Sequence, residues 1–130
     1  MFKDTAVFAS FSVSDLSKAK QFYAATLGLD VKEMSVGLNL TFAGGGTAFI
    51  YPKPNHTPAS FTILNFPVQN IDDAVGELTR KGVAFEKYDG EMQTDAKGIF
   101  RGADKNHGPN IAWFKDPAGN ILSLIEMKIS

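Results

Sequence analysis

At a constant offset of 55 residues the chain repeats itself: Val13, Leu16, Ala19 and Tyr23 are matched by Val68, Ile71, Ala74 and Leu78. Self-similarity on this scale marks the duplication of one supersecondary unit, so whatever fold the first half adopts, the second must adopt too. Each repeat centres on a helix. Leu16, Ala19, Phe22 and Tyr23 recur at helical spacing behind Ser14 and Asp15, both good N-cap residues, and Gly28 stands where a helix would stop. Ile71, Ala74, Val75 and Leu78 do the same behind Asn70, with Gly82 as terminator and Pro67 keeping the entering chain extended.

The flanks are β-rich. One such run precedes each helix, residues 7–13 or 61–66, and three follow it. The followers are residues 31–35, 38–42 and 47–52 in the first half, and 83–88, 111–115 and 121–127 in the second. Each half reads βαβββ. Pro52, Pro54, Asn55 and Pro58 form the expected linker, because proline stiffens a chain while barring regular hydrogen-bonded structure. Residues 90–110 make a second irregular stretch, too long for a simple hairpin, and read as either a flap or a plain solvated loop. The expectation is one α+β domain spanning residues 1–130, with module 1 at about 1–54 and module 2 at about 59–130.

Bulk properties narrow the partners. Thirteen basic against fourteen acidic residues produce no field that would concentrate nucleic acid or an anionic membrane surface. The absence of cysteine rules out disulfides and thiolate chemistry and suits a reducing compartment, so a cytoplasmic location is expected. The apolar stretch 6–13 is interrupted by Ser10 and Ser12 and follows Asp4, which favours a strand over an export signal. No window approaches the roughly 18–20 apolar residues that a membrane span needs.

Two segments resemble a known family. Val13-Ser14-Asp15-Leu16-Ser17-Lys18-Ala19-Lys20-Gln21-Phe22-Tyr23, ending in Leu27-Gly28, is similar to the opening helix of vicinal-oxygen-chelate proteins, the glyoxalase and bleomycin-resistance superfamily. Trp113-Phe114-Lys115-Asp116-Pro117-Ala118-Gly119-Asn120 resembles their closing hairpin, where Asp, Pro and Gly serve a tight turn. The resemblance implies two βαβββ modules whose mixed sheet curls around a cleft, with the helices outside. It also implies one of several chemistries, since members include lyases, isomerases, dioxygenases, transferases and metal-free antibiotic-sequestering proteins.

Strand alternation sorts the first strand independently: Val7, Ala9, Phe11 and Val13 face the helices, while Phe8, Ser10 and Ser12 take the opposite, concave face. The resemblance puts the family's first metal-binding histidine at Phe8 and, through the repeat, the second at Ile63, with Asn65 next on the same face. The usual glutamate after the last turn corresponds to Ser123. Aligning Gly45 with Gly119 places Phe49 opposite Ser123, with Tyr51 two further along. Phe8, Phe49, Ile63 and Ser123 offer no imidazole and no carboxylate, so neither a metal nor another cofactor is expected. Trp113 should point inward beside these rings. The aromatics either line a pocket, with Ser10, Asn65 and Ser123 orienting a ligand, or simply fill the core.

Other polar residues have plainer readings. His56 and His107 sit among Pro, Asn and Gly in expected loops, Glu126 reads as a surface carboxylate on the face away from Ser123, and Gly44-Gly45-Gly46 reads as a hairpin turn. Arg101 is the loop residue that could meet a carboxylate ligand. The resulting expectation is metal-independent binding of a small aromatic or apolar molecule at Phe8, Ser10, Phe49, Tyr51, Ile63, Asn65, Trp113 and Ser123, by a homodimer, with catalytic residues unassigned. The rival is a lyase, isomerase or dioxygenase with an unusual or absent metal site, which would need a base that the predicted cleft does not offer outside the phenol of Tyr51.

Overall fold

The computed structural model describes residues 1–127, so the last three residues of the expected second module lie outside it. The chain divides into two compact units, Met1–Pro58 and Ala59–Ser130. Unit 1 runs β1 (Ala9–Val13), α1 (Leu16–Gln21), β2 (Asp30–Met34), β3 (Gly37–Thr41) and β4 (Thr47–Pro52). Unit 2 runs β5 (Thr62–Val68), α2 (Ile71–Arg80), β6 (Ile99–Arg101), β7 (Asn110–Lys115) and β8 (Ile121–Glu126). Both therefore have the βαβββ order, and both sheets have the same topology, β1-β4-β3-β2 and β5-β8-β7-β6. In each, the first and last strands pair in parallel and the remaining pairs are antiparallel.

The duplication extends to the caps. Asp15 accepts a hydrogen bond from the Lys18 amide at 3.0 Å, and 55 residues later Asn70 accepts one from the Asp73 amide at 3.0 Å. Each satisfies an amide that the first helical turn cannot pair internally. The first helix does not run regularly to Gly28: after Gln21 it widens into a π-helical turn over Phe22–Thr26, and Gly28 then reverses the chain at φ 71°. Gly82 ends the second helix at φ 93°.

Each helix covers one face of its own sheet. In unit 1, Phe11 and Leu38 are both paired with Ile50, and that row meets Tyr23, which is fully buried with its ring 5.9 Å from that of Phe11. In unit 2 the corresponding core is Ala112, Phe114, Leu122 and Leu124 beneath Ile71 and Val75. Removing such side chains from water is the main stabilising term in each unit.

Three expectations need correction. The first strand begins at Ala9 rather than Val7, and Val7 and Phe8 are 77% and 62% exposed. Ala9 pairs with Ala48, one residue inside the start of β4, and before Thr47 the chain turns through Gly44 and Gly45, so the pairing ends here and Val7 has no strand residue opposite it. Residues 83–88 form no strand: Phe85 makes a single bridge to Phe114, and the Glu86 amide donates to Trp113 O at 2.8 Å. The fourth strand of unit 2 is instead β6, inside the stretch read as a flap or loop. Gly98, at φ 87°, turns the chain into β6, and an added Cβ there would lie 2.7 Å from Phe85 Cβ, so only glycine permits the approach. Pro67 lies within β5, where it is tolerated because β5 is an edge strand.

Candidate functional site

The face of each sheet turned away from its helix carries most of the predicted site residues. In unit 1, register places Ser10, Phe49 and Asn39 in one row and Ser12 beside Tyr51 in the next. The rings of Phe49 and Tyr51 are 6.4 Å apart and within 16° of parallel. Gly37 makes room for this stack: a Cβ there would come within 2.2 Å of Ile50 O and 2.7 Å of the Phe49 ring. Phe8 precedes the strand and is exposed, so no strand register assigns it to this face.

In unit 2, Asn65, Ser123 and Trp113 form one row across β5, β8 and β7. Ser123 is fully buried and donates its hydroxyl proton to Asn65 Oδ1 at 2.6 Å, while Asn65 itself is exposed. Ile63 falls where the register shifts between Thr62 and Leu64, so it is half-buried at a bulge and parity counted along the sequence breaks there.

Trp113 sits between two rings, Tyr88 at 5.4 Å and 56° and Phe100 at 6.3 Å and 35°. Neither was a predicted site residue. Phe100 arrives through β6, and Tyr88 is held by Thr94, whose hydroxyl accepts from the Tyr88 amide at 2.9 Å and whose amide donates to Tyr88 O at 3.0 Å. These are closures of a long irregular segment, which leave no periodic trace in sequence. Burial, with help from Glu86, pushes the Tyr88 phenol up from its ordinary value, against an opposing pull from Lys115.

The polar residues outside these faces have structural partners. Arg101 forms a bidentate pair with Asp72 at 3.0 and 2.8 Å, and its Nε donates to Asp95 at 2.9 Å. The reading of Arg101 as a receptor for a ligand carboxylate is thereby corrected: its planar fork is occupied by two carboxylates of its own unit. The hydrogen bond from Arg101, then that from Lys97, hold the Asp72 carboxyl well below its ordinary range. For Asp95, burial acts upward but is outweighed by hydrogen bonds from the Ile99 amide and Arg101, so its carboxyl is also lowered.

Glu126 is not a free surface carboxylate either. It accepts from the Ile71 amide at 2.9 Å, at the first turn of α2, and from Asn110 Nδ2 at 3.1 Å. His56 is half-buried with Nδ1 2.7 Å from Ser12 Oγ, while His107 is exposed. Gly44 and Gly45 close a hairpin, with the Phe42 amide donating to Gly46 O at 2.8 Å. In the last hairpin Asp116 Oδ1 accepts from the amides of Ala118 and Asn120, both at 2.9 Å, which accounts for Asp and Asn at those positions.

Among the described residues no three His, Cys, Asp or Glu side chains are grouped to hold a metal ion. At the positions that the resemblance implies for metal ligands stand Phe8, Phe49, Ile63 and Ser123, and the one hydroxyl among them is buried and engaged by Asn65. That donor set does not fit a catalytic divalent ion, which wants about three nitrogen or carboxylate ligands.

A duplicated βαβββ chain with aromatic side chains on the face of each sheet opposite its helix belongs to the class of glyoxalase-like proteins. The chain is a member of the Glyoxalase/Bleomycin resistance protein/Dioxygenase superfamily, whose family profile matches residues 6–124. Among solved structures it is similar to TnmS3, an antibiotic binding protein from Streptomyces sp. CB03234, at 25% identity over 95% of this chain and 97% of that one, with a TM-score of 0.62. A glyoxalase/bleomycin resistance protein from the same strain is 26% identical over 92% and 99% of the two chains, with a TM-score of 0.57. A glyoxalase family protein from Enterococcus faecalis, at 21% identity over 97% and 100% and a TM-score of 0.67, shares the fold. A comparison with curated proteins gave no match. None of the described helices is long and apolar enough to cross a membrane.

Proposed function

We propose that this protein binds a small planar aromatic or apolar molecule without a metal ion or other cofactor. The observation that carries the reading is the row Asn65–Ser123–Trp113, with Trp113 flanked by Tyr88 and Phe100 on the face of unit 2 opposite α2. The half-buried rings of Trp113 and Tyr88 provide flat apolar contact, the fully buried Phe100 backs Trp113, and the Asn65 amide beside them can orient a polar substituent. Phe8, Ser10, Phe49 and Tyr51 are proposed as ligand contacts on unit 1, and Ile63 as a further one on unit 2. The likeness to TnmS3, described as an antibiotic binding protein, supports sequestration over turnover. The same reading treats residues 1–130 as one functional domain acting as a homodimer in the cytoplasm, without nucleic-acid or membrane partners.

The catalytic rival, a lyase, isomerase or dioxygenase of the same fold, needs a group able to take a proton near neutral pH. The phenol of Tyr88 is pushed the other way by burial. Because Trp113 is the single tryptophan, its emission reports on this face alone. Titration with a panel of planar aromatic compounds should give saturable quenching by at least one. Protein purified without chelator should carry less than one equivalent of any transition ion. A stoichiometric ion, or a panel that leaves Trp113 emission untouched, overturns the reading.

A further inference from the structure

We propose that unit 2 carries a second ligand site, a groove between α2 and residues 83–87 that takes a small apolar molecule bearing one carboxylate. The Trp113 row lies on the other side of the same sheet, so this site is separate from the one described above. Its floor follows from helical spacing: Val75, Gly76 and Thr79 lie along one stripe of α2, beginning at Asp72. Val83 and Phe85 form the facing wall, and the turn at Ala96 and Lys97 closes one end. The groove is open to solvent along its length and holds about 510 Å³, within the size range of small-molecule sites.

Two features distinguish this groove from an ordinary gap between a helix and a loop. Gly76 stands in the interior of α2, where glycine is unfavourable, and a Cβ built there meets nothing nearer than the Arg80 guanidinium at 3.4 Å. The missing side chain is therefore what opens the floor. The rim also has surplus positive charge. Asp72, the acidic residue of the lining, is already engaged by both arms of Arg101, and Lys97 adds a further cation to it at 3.0 Å. Lys87 donates to the carbonyl of Ala96 and has no carboxylate partner among the described residues. An apolar floor beneath an ammonium group that lacks an anion fits an amphiphile with a carboxylate head, whose charge Lys87 would meet while its hydrocarbon part covers Val75, Gly76 and Phe85.

Octanoate and octylamine serve as probes, with binding followed by backbone amide chemical shifts of the full chain. Octanoate should move the amides of Val75, Gly76, Thr79, Val83 and Phe85 in a saturable way, leaving Trp113 emission unchanged, and octylamine should not. Lys87→Ala should weaken octanoate about fivefold to tenfold, the loss of one partly exposed ion pair with its hydrogen bond. Gly76→Leu, a favourable helix substitution that fills the floor, should abolish the shifts while leaving the circular dichroism spectrum intact. No saturable shifts at millimolar octanoate, shifts located elsewhere, equal response to octylamine, or unchanged affinity in Lys87→Ala would each overturn the proposal. Since the aromatic site is read through Trp113 and this one through α2 amides, either can fail alone.

Discussion

The hydroxyl of Ser123, fully buried in β8, is hydrogen-bonded to Oδ1 of Asn65, an exposed side chain on β5, at 2.6 Å. The two partners differ in what their loss leaves behind. Asn65→Ala strands a buried hydroxyl, whereas Ser123→Ala frees an amide that water can satisfy and puts a methyl group in its place. Asn65→Ala should therefore cost about 1–3 kcal/mol and Ser123→Ala under about 1 kcal/mol, read from urea unfolding midpoints at equal m-value. Equal costs would mean that the bond contributes nothing specific.

The Asp72–Arg101–Asp95 cluster should govern acid stability but not ligand affinity at the Trp113 face. Both carboxyls are lowered in the folded state, so their contribution is fully present above the ordinary carboxylate value near pH 4 and is lost as pH falls below it towards the folded values. Arg101 is 29% exposed and Asp72 39%, so solvent screening reduces the worth of each pair to about 1 kcal/mol or less. Arg101→Met should narrow the stability difference between pH 7 and pH 3 without changing quenching of Trp113. Arg101→Lys should rescue little, because an ammonium cannot replace the bidentate geometry. A large loss of the affinity read through Trp113 quenching in Arg101→Met would return this residue to the aromatic binding face.

Glu126 joins the start of α2 to the end of β8. Glu126→Ala leaves the Ile71 amide and Asn110 Nδ2 without their acceptor and should destabilise the protein by about 1–3 kcal/mol. Glu126→Gln keeps one acceptor oxygen, which can still serve the Ile71 amide, but turns its NH2 towards Asn110 Nδ2 and loses the anion near the helix N-terminus, so it should recover only part of the loss. Amide hydrogen exchange at the first turn of α2 distinguishes the two. Unchanged protection at Ile71 in Glu126→Ala would show that this link is idle.

Legibility in the sequence followed the range of the interaction. The helix starts at Asp15 and Asn70, the turn at Asp116–Asn120 and the strands β3, β4, β7 and β8 were readable because caps, turns and alternating burial depend on residues a few positions apart. Where a partner was distant, alternation misled. Residues 83–88 alternate well, yet β6 takes the edge beside the start of β7 and leaves only the Phe85 bridge. Tyr88 reaches Trp113 for the same reason, through a loop closed at Thr94. The bulge at Ile63 interrupts the parity that assigned it a face, and a bulge leaves no mark in an apolar run.

By itself the sequence determined the duplicated βαβββ plan and the superfamily, since both are written in residue identity and short spacing. Tertiary structure alone decided which charges were already spent. Arg101 looked available to a ligand until Asp72, 29 residues away, closed on it, and Glu126 looked like surface until it met the Ile71 amide. Whether a polar group is free or engaged depends on what the chain brings within about 3 Å of it, and that is a property of the folded path, not of composition.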